Sequence, residues 1–446
     1  MQVGDILELK IEKLNSEGDG IARIDGFVLF VKNSCPEDVL KCKITKLNKS
    51  YGFAQIEEII NPSSYRTEPK CKLHKLCGAC NLQHINYEAQ LKFKREIVED
   101  TLKISTQVND VIGIPDGYNY RAKIQYPVAS KKNSSRILAG YYQKASHELI
   151  NIKYCPIQPD EVNNVIEFIK EKAEYHKVSA YDEKTHKGLL RHIVIRYSNL
   201  NNKMIIVLVI NDKEVPVAIK NLASEIFDNF ENVSGVSANI NTQKSNVILG
   251  KTSHNIIGKD YIEESLCDVV FKISGDTFFQ VNPKCANLMF SYIKDFIKSN
   301  FIQPSILDAY AGIAAFGIAL HDIAGDIVSV ELNSESIKKA KENIIKHEIK
   351  NVTAICADTM EYLENCNQEF DITIVDPPRK GCEQEGLKKL LSITKNMIIY
   401  VSCNPATLAR DLNFLMNNGC KIKEVQPFDM FPQTAHVETV VFIELP

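Results

Sequence analysis

Residues 305–332 read SILDAYAGIAAFGIALHDIAGDIVSVEL, and this stretch decides the architecture. An apolar run, SILDAY, passes into a loop of small residues, AGIAA. A helical stretch, FGIALHDIA, follows, and then a second run, DIVSVEL, that carries Glu331. Strand, tight loop, helix and strand in that order form a βαβ unit, which builds parallel sheet. The alternation continues to the C-terminus. VTAICAD, FDITIVDPP, MIIYVSC and VETVVFIEL read as further strands. Between them SESIKKAKENIIKHEI is expected to place Ile337, Ala340, Ile344 and Ile345 on one helical face. ATLARDLNFLMNN does the same with Leu408, Leu412, Leu415 and Met416, with Gly419 as its C-terminal cap. Residues 266–446 are therefore expected to form a doubly wound, mostly parallel α/β domain.

Small residues between a strand and a helix let backbone approach a ligand closely. Gly312 supplies that loop. Glu331, 19 residues further on, stands where a carboxylate accepts from two ribose hydroxyls. This arrangement serves nucleotides generally and does not separate a dinucleotide from S-adenosylmethionine. Ala314 replaces the second glycine of a G-x-G pattern, and its methyl group demands a backbone shift if the position has φ > 0. VDPPRKG, residues 375–381, puts Asp376 and two prolines at the carboxyl edge of the sheet. Adjacent prolines hold the chain extended and remove backbone donors. A rigid Asp-Pro-Pro there favours methyl transfer to a base over hydride transfer; an ordinary turn is the plain alternative.

SCNPATLARDL, residues 402–412, sets Cys403 between a buried run and a helix. A cysteine at a strand end near a helix N-terminus is where a thiolate is favoured. Glu438 opens the last, otherwise apolar strand, either as an exposed strand-end charge or as a general base in a cleft. The pair answers a specific problem, because C5 of uracil is a poor nucleophile. A thiolate adding at C6 turns the ring into an enolate that attacks a sulfonium methyl at C5. A base then removes the C5 proton and the thiolate leaves. This chemistry requires no metal.

The first 62 residues hold short alternating runs (ILELKIEKL, FVLFV, VLKCKITKL, YGFAQIEEII) separated by turn clusters, which suits a small OB-type barrel. Residues 63–265 form a middle region with a helix from Tyr87 to Leu102, then strands RAKIQYPV, RILAGYY, LLRHIVIRYS and KMIIVLVIN. Charge is uneven along the chain: −2 over residues 1–62, +7 over 63–155 and −8 over the remainder. Tyr118, Tyr120, Tyr126, Tyr141 and Tyr142 are interleaved with the basic residues, as a single-strand RNA surface requires. A solvated strand face over a Tyr-lined core is the alternative for each. Thirteen cysteines, an odd number, include Cys71, Cys77 and Cys80 close together, with Cys155 as a fourth. In a reducing compartment such a group means metal or redox chemistry before disulfides. All-thiolate ligation suits an iron–sulfur cluster or zinc, and spacing does not settle which.

A net charge of −3 excludes a uniformly basic nucleic-acid coat. The start, MQVGDILELKIEKL, lacks the apolar core of a secretory signal. The longest apolar run, Ala309–Leu320, is 12 residues, short of the roughly 18 that a bilayer requires. A soluble cytoplasmic protein is expected.

Residues 275–282 (GDTFFQVN), 308–317 (DAYAGIAAFG), 375–381, 400–412 (YVSCNPATLARDL) and 429–440 (DMFPQTAHVETV) closely resemble the RNA uracil-C5 methyltransferases. The first 60 or so residues resemble that family's TRAM domain, an OB-type RNA-binding module. The resemblance implies Cys403 as nucleophile and Glu438 as the base that takes the C5 proton. It places Gln280, Tyr310, Gly312, Glu331, Asp358 and Asp376 at cofactor-binding positions for S-adenosylmethionine, with Gln280 and Asp376 equally able to face the target base. C-x5-C-x2-C from Cys71 to Cys80, completed by Cys155, matches the 4Fe–4S ligands of the ribosomal-RNA branch, with zinc the lesser alternative. His74 and His84 in that segment are read as ordinary polar or RNA-facing residues. The cluster's role would be to orient the RNA-binding middle domain. Large-subunit (23S) ribosomal RNA is the substrate this likeness favours, with transfer RNA the runner-up. Base flipping is implied, and Arg379 and Lys380 are expected either to grip phosphate or to cap the following helix. No protein partner is implied, and a monomer is expected. Two rival readings remain, amine methylation suggested by Asp-Pro-Pro and a non-catalytic RNA-binding assembly factor suggested by Ala314.

Overall fold

The computed structural model describes residues 1–131, 134, 136–144 and 146–446. Lys132, counted among the basic residues of the middle region, lies outside them. The chain divides into two compact units, one formed by 1–117, 378–381 and 401–443, the other by 118–377, 382–400 and 444–446.

The first unit begins with β1 (Ile6–Lys10), β2 (Lys13–Leu14), β3 (Gly20–Ile24), β4 (Phe27–Val31), β5 (Val39–Leu47) and β6 (Tyr51–Asn61). They form one sheet in the order β1-β5-β6-β4-β3-β2. Alternation drives it: Leu40, Cys42 and Ile44 of β5 point into a core with Leu9, Leu29 and Val31, while Lys41 and Lys43 face out. GIARI, which lies among turn signals, forms β3. Arg66 closes the module: its Nε and Nη2 donate to Asp38 Oδ1 and Oδ2 at 2.8 and 2.7 Å, and Asp38 is fully buried.

Turns and isolated bridges carry the chain to α1 (Tyr87–Leu102), whose bounds match the sequence reading. Asn86 caps it, accepting from Ala89 N at 2.9 Å. Leu14, Cys35, Leu82, Ile85, Phe93, Ile97 and Ala435 share a second core that ties the barrel to this helix.

The second unit opens with β7 (Lys123–Ser130), β8 (Ile137–Tyr142), β9 (Leu149–Asn151), α2 (Asp160–Tyr175), β10 (Leu190–Tyr197), β11 (Met204–Ile210), α3 (Val217–Asn229), β12 (Val233–Ile240) and β13 (Thr252–Gly258). Its sheet has the order β13-β12-β11-β10-β7-β8-β9, with α2 and α3 packed against it. The hairpin β14 (Tyr261–Leu266) and β15 (Val269–Ser274) leads to α4 (Pro283–Asn300).

Then follow β16 (Ile306–Ala309), α5 (Ala315–Leu320), β17 (Ile327–Glu331), α6 (Ser334–Lys346), β18 (Val352–Cys356), α7 (Thr359–Asn365), β19 (Phe370–Val375), α8 (Gln384–Ile393) and β20 (Thr394–Ser402). These strands pair in parallel in the order β18-β17-β16-β19-β20, the doubly wound pattern expected. Ile306, Leu307, Ile372, Ile374, Ile398 and Ile399 are buried, as strands covered on both faces require.

The remaining elements belong to the first unit. There α9 (Pro405–Asn417) packs on α1, and β21 (Lys421–Phe428) neighbours β22 (Glu438–Glu444) in one sheet. Leu408, Leu412 and Leu415 are buried, and Gly419 takes φ +92° just past the helix end. In α6 one expectation fails. Ile337 and Ala340 are buried but Ile345 is 76 % exposed, because the inward position after Ala340 goes to Asn343. The Asn343 amide accepts from Lys272 N and donates to Lys272 O, a contact that apolar periodicity cannot register.

Candidate functional site

Gln280, Tyr310, Gly312 and Asp376 line one cleft of the second unit together with Phe278 and Phe316, among others. Its rim is fixed from several elements. Thr277 O accepts from buried Arg196 of β10, and Val281 O accepts from Ala122 N at 2.7 Å. Asn282 caps α4, accepting from Cys285 N. Gln280 is thus held between two anchored residues.

The loop after β16 has left-handed backbone at Tyr310 (φ +64°), Gly312 (φ +58°) and Ala314 (φ +57°). Such conformations in a tyrosine and an alanine cost roughly 1–2 kcal/mol each, and they cluster where a site is being shaped. Ala314 stands where a second glycine would complete a G-x-G pattern. Its position does have positive φ, it is fully buried, and it caps α5 without a side-chain hydrogen bond.

Glu331 does more than end β17. Its Oε2 accepts from Gly312 N at 3.0 Å and its Oε1 from Asn333 N at 2.8 Å, so the carboxylate orients the loop itself. A Cβ built on Gly312 would meet a side chain only at Phe278, 3.9 Å away. That leaves the glycine backbone open to a ligand, so the cradle fits a nucleoside-type group. Asp308, at the end of β16, was not singled out from the sequence. It is buried, accepts from Gly317 N at 3.1 Å and Ser329 Oγ at 3.0 Å, and fastens the loop to β17 and α5. Burial pushes its carboxyl up to about 7 against those two hydrogen bonds. Burial, with the Asp308 carboxylate nearby, also raises Asp376. A neutral carboxyl can donate as well as accept.

Asp358 lies elsewhere. It is exposed and caps α7, accepting from Met360 N and Glu361 N at 2.9 and 3.1 Å.

Cys403 lines a cleft of the first unit with Ser16, Glu17, Arg379, Asn404, His436 and neighbouring apolar residues. It stands between β20 and the N-cap of α9, half-buried. Asn404 Oδ1 accepts from Ala406 N at 3.1 Å, and its Nδ2 donates to Arg379 O at 3.1 Å. Thr407 Oγ1 also donates to Arg379 O, and Arg410 Nη2 to Lys380 O at 3.0 Å. The backbone of residues 379–380 is thus tied to α9, while the Arg379 side chain lines the cleft. Gly381 has φ +73°, and a side chain there would strike Asp411 and Arg410 at 2.6 and 2.7 Å. His436 is held below the ordinary imidazole range by desolvation and by Arg379 and Lys94, with Glu17 opposing.

Glu438 is 5 % exposed and directly follows Val437 of the cleft wall. The loop before it is locked from α1. Lys94 donates to Asp429 and Phe431 O, Gln90 exchanges hydrogen bonds with Gln433, and Asn81 Oδ1 accepts from Ala435 N at 2.9 Å. Lys94, Gln90 and Asn81 carry no motif of their own, and only their partners sit in a motif-like block.

Residues 86–445 match the family model described as tRNA (Uracil-5-)-methyltransferase, and residues 1–56 match the TRAM domain. The chain belongs to the RNA uracil-5 methyltransferase family. Among its relatives, an uncharacterized RNA methyltransferase of Halalkalibacterium halodurans is 36 % identical, over 99 % of this chain and 97 % of that one. One from Clostridium tetani is 37 % identical, over 98 % and 95 %. Among solved structures it is similar to the Pyrococcus abyssi tRNA (uracil-54, C5)-methyltransferase in complex with S-adenosyl-L-homocysteine. That likeness has a TM-score of 0.78 and 27 % identity, and covers 98 % of this chain and 100 % of the other.

The RNA uracil-5 methyltransferase family depends on S-adenosylmethionine, and the Gly312 cradle fits such a molecule. The thiol set behaves differently. Cys71 and Cys80 are half-buried, and Cys77 and Cys155 are buried. Among the described residues no three His, Cys, Asp or Glu side chains are grouped to hold a metal ion. His84 is a core residue rather than an RNA-facing one. It is 4 % exposed, bonded through Nε2 to Ser34 O, and lowered to about 4 by burial. Tyr120 and Tyr126 are likewise buried, so of the five tyrosines only Tyr118, Tyr141 and Tyr142 keep partial exposure. No helix of the described residues is long and apolar enough to cross a membrane.

Proposed function

We propose that this protein methylates C5 of a uridine in RNA, with Cys403 as nucleophile and Glu438 as base. S-adenosylmethionine supplies the methyl group. The observation that carries the reading is Cys403 in a cleft wall at the head of α9, in the same compact unit as the buried Glu438. The Cys403 thiolate would add to C6, giving an enolate whose C5 would take the methyl group as the S–CH3 bond breaks and the sulfonium sulfur leaves as a neutral thioether. Glu438 then accepts the C5 proton, and the C6–S bond breaks to restore the ring and the thiolate. Arg379 and His436 line the place where the ring would sit, and Asn404 keeps the Arg379 backbone in register with the cysteine. Gln280, Tyr310, Gly312 and Asp376 would hold the methyl donor, with Glu331 setting the glycine backbone. Asp358 enters only as a helix cap whose carboxylate also stands at a strand end. Residues 1–62, 63–265 and 266–446 would serve as RNA grip, RNA-orienting insert and catalytic domain. Amine methylation is disfavoured because it leaves Cys403 idle.

Large-subunit ribosomal RNA is the substrate we infer, supported by a TRAM module beside a thiol-rich segment. The similarity to a tRNA (uracil-54, C5)-methyltransferase favours transfer RNA as the second reading. Methyl-labelled donor with each unmodified RNA, followed by nucleoside mass spectrometry, tests both. Label in 5-methyluridine from ribosomal RNA, lost in Cys403→Ala, is expected. Label only in transfer RNA moves the substrate, and no label in either overturns the activity. The thiols of Cys71, Cys77, Cys80 and Cys155 would hold a 4Fe–4S cluster with a structural role. Iron and acid-labile sulfide in anaerobically purified protein, lost in Cys77→Ser, is the expected result; zinc without sulfide contradicts it.

A further inference from the structure

A second cleft of about 560 Å³ opens on the sheet of the second unit, within the size range of small-ligand sites. Its floor comes from β7 and β10, where Pro127 pairs with His192. One wall carries Tyr141 and Tyr142 of β8, and the other the segment Lys244–Asn246. None of these residues takes part in the chemistry described above.

The cleft is built rather than incidental. Arg191 is 4 % exposed. Its Nη1 donates to Asn241 O and Gln243 O, both at 2.7 Å, and its guanidinium lies 4.4 Å from the Tyr181 ring centre. Asn241 Nδ2 in turn donates to Val247 O and Ile248 O. A buried cation therefore shapes the whole 241–248 rim. On the floor, His192 Nδ1 is buried with no hydrogen-bond partner among the described residues. Burial, with Arg191 beside it, lowers that imidazole to about 4. At neutral pH it is uncharged, with one ring nitrogen able to donate and one to accept. The amides of Gln125 and Asn246 and the Lys244 ammonium complete the polar lining. Glu183 at the rim is already engaged, accepting from Tyr142 Oη at 2.7 Å and lying 3.5 Å from His147 Nδ1.

Aromatic faces, amides and a neutral imidazole in one cleft, with a single ammonium at its lip, match one class of ligand. Aromatic rings stack on a base, amide and imidazole groups read its edge, and the ammonium meets a phosphate. We propose that this cleft takes an unpaired nucleotide of the RNA substrate, at a position other than the methylated uridine. The proposal rests on the reading of the protein as an enzyme acting on RNA. In this arrangement the nucleotide orients the RNA and touches no reacting atom, so its loss weakens substrate binding without slowing the chemical step.

The test uses the full-length protein with Tyr142→Leu and Lys244→Ala. Tyr142 is half-buried and Lys244 exposed, and melting curves matching wild type establish that both variants fold. Ultraviolet crosslinking to a short unstructured oligoribonucleotide, with peptide mapping, is expected to mark peptides holding Tyr141–Tyr142 or Tyr181. For the RNA substrate, KM is expected to rise about tenfold in Tyr142→Leu with kcat unchanged, the scale of one lost base stack. Affinity for S-adenosylmethionine is expected to stay the same. Crosslinks confined to other surfaces, or KM within twofold of wild type in both variants, would overturn the proposal. Crosslinking in the cleft by a protein that transfers no methyl group to uridine would sink the proposed activity while supporting the nucleotide site.

Discussion

Lys94 Nζ lies 2.5 Å from Asp429 Oδ1, and neither side chain is exposed. The pair joins α1 to the loop that ends at Glu438, and Lys94 also donates to Phe431 O at 3.1 Å. A buried ion pair adds little net stability, but removing one partner strands the other charge. Its value lies in fixing one loop conformation, and with it the start of β22.

Lys94→Met is accordingly expected to cost about 3–5 kcal/mol in urea unfolding, whereas Lys94→Met combined with Asp429→Leu costs less than the single change. A single variant losing under ~1 kcal/mol would contradict the role given to this pair.

Ala314 sets a second test. Its left-handed backbone costs roughly 1 kcal/mol, while its buried methyl returns about 0.8 kcal/mol. Ala314→Gly is expected to change stability by less than about 1 kcal/mol and to leave donor binding by calorimetry intact. Ala314→Val, β-branched at positive φ, is expected to lose about 2 kcal/mol or more. Equal effects would refute strain at this position.

Asp308 links stability to pH. Its carboxyl is raised to about 7 by burial, whereas an unfolded aspartate titrates near ~3.9. Between those values the folded state keeps a proton that the unfolded chain has released. Its contribution to stability therefore falls as pH rises through this window and levels off above about 7. Asp308→Asn keeps an oxygen to accept from Gly317 and Ser329 but does not titrate. The variant is expected to gain on wild type in unfolding free energy between about pH 4 and pH 7 and to hold that gain above it. A difference that stays constant with pH would show that the carboxyl is not raised.

Glu438→Gln removes the base but keeps a hydrogen-bonding side chain of the same shape. Release of 5-methyluridine RNA in steady state is expected to fall at least about 100-fold, with the methylated RNA held on Cys403. A fall of less than about threefold would assign the proton to another group.

The sequence carried the parallel sheet well. Its strands are buried on both faces and read as plain apolar runs, as in ILDA, IVSVE and MIIYV. The sequence was silent where polar contacts set the structure. Asn343 fills an inward helical position because it bonds the Lys272 backbone, and KIKEVQPF is a strand although only its second half is buried. The sequence places Cys403, Gly312 and Asp376 in loops after strands, and each of them lines a cleft. Asp308 was not legible in the sequence, since its role depends on Gly317 and Ser329, nine and 21 residues away. Asp358, an acid just after a strand, also caps the next helix, a role that depends on the backbone N–H groups of Met360 and Glu361.

The most direct test of the central claim incubates the protein with S-adenosylmethionine and a substrate RNA carrying 5-fluorouridine at the target position. Fluorine at C5 cannot leave as a proton, so the ring methylated at C5 stays bonded through C6 to the nucleophile. Peptide mass spectrometry is predicted to find the RNA attached to Cys403 in wild type and no adduct in Cys403→Ala. Methylated 5-fluorouridine RNA released without an adduct, or an adduct on another residue, would contradict the account.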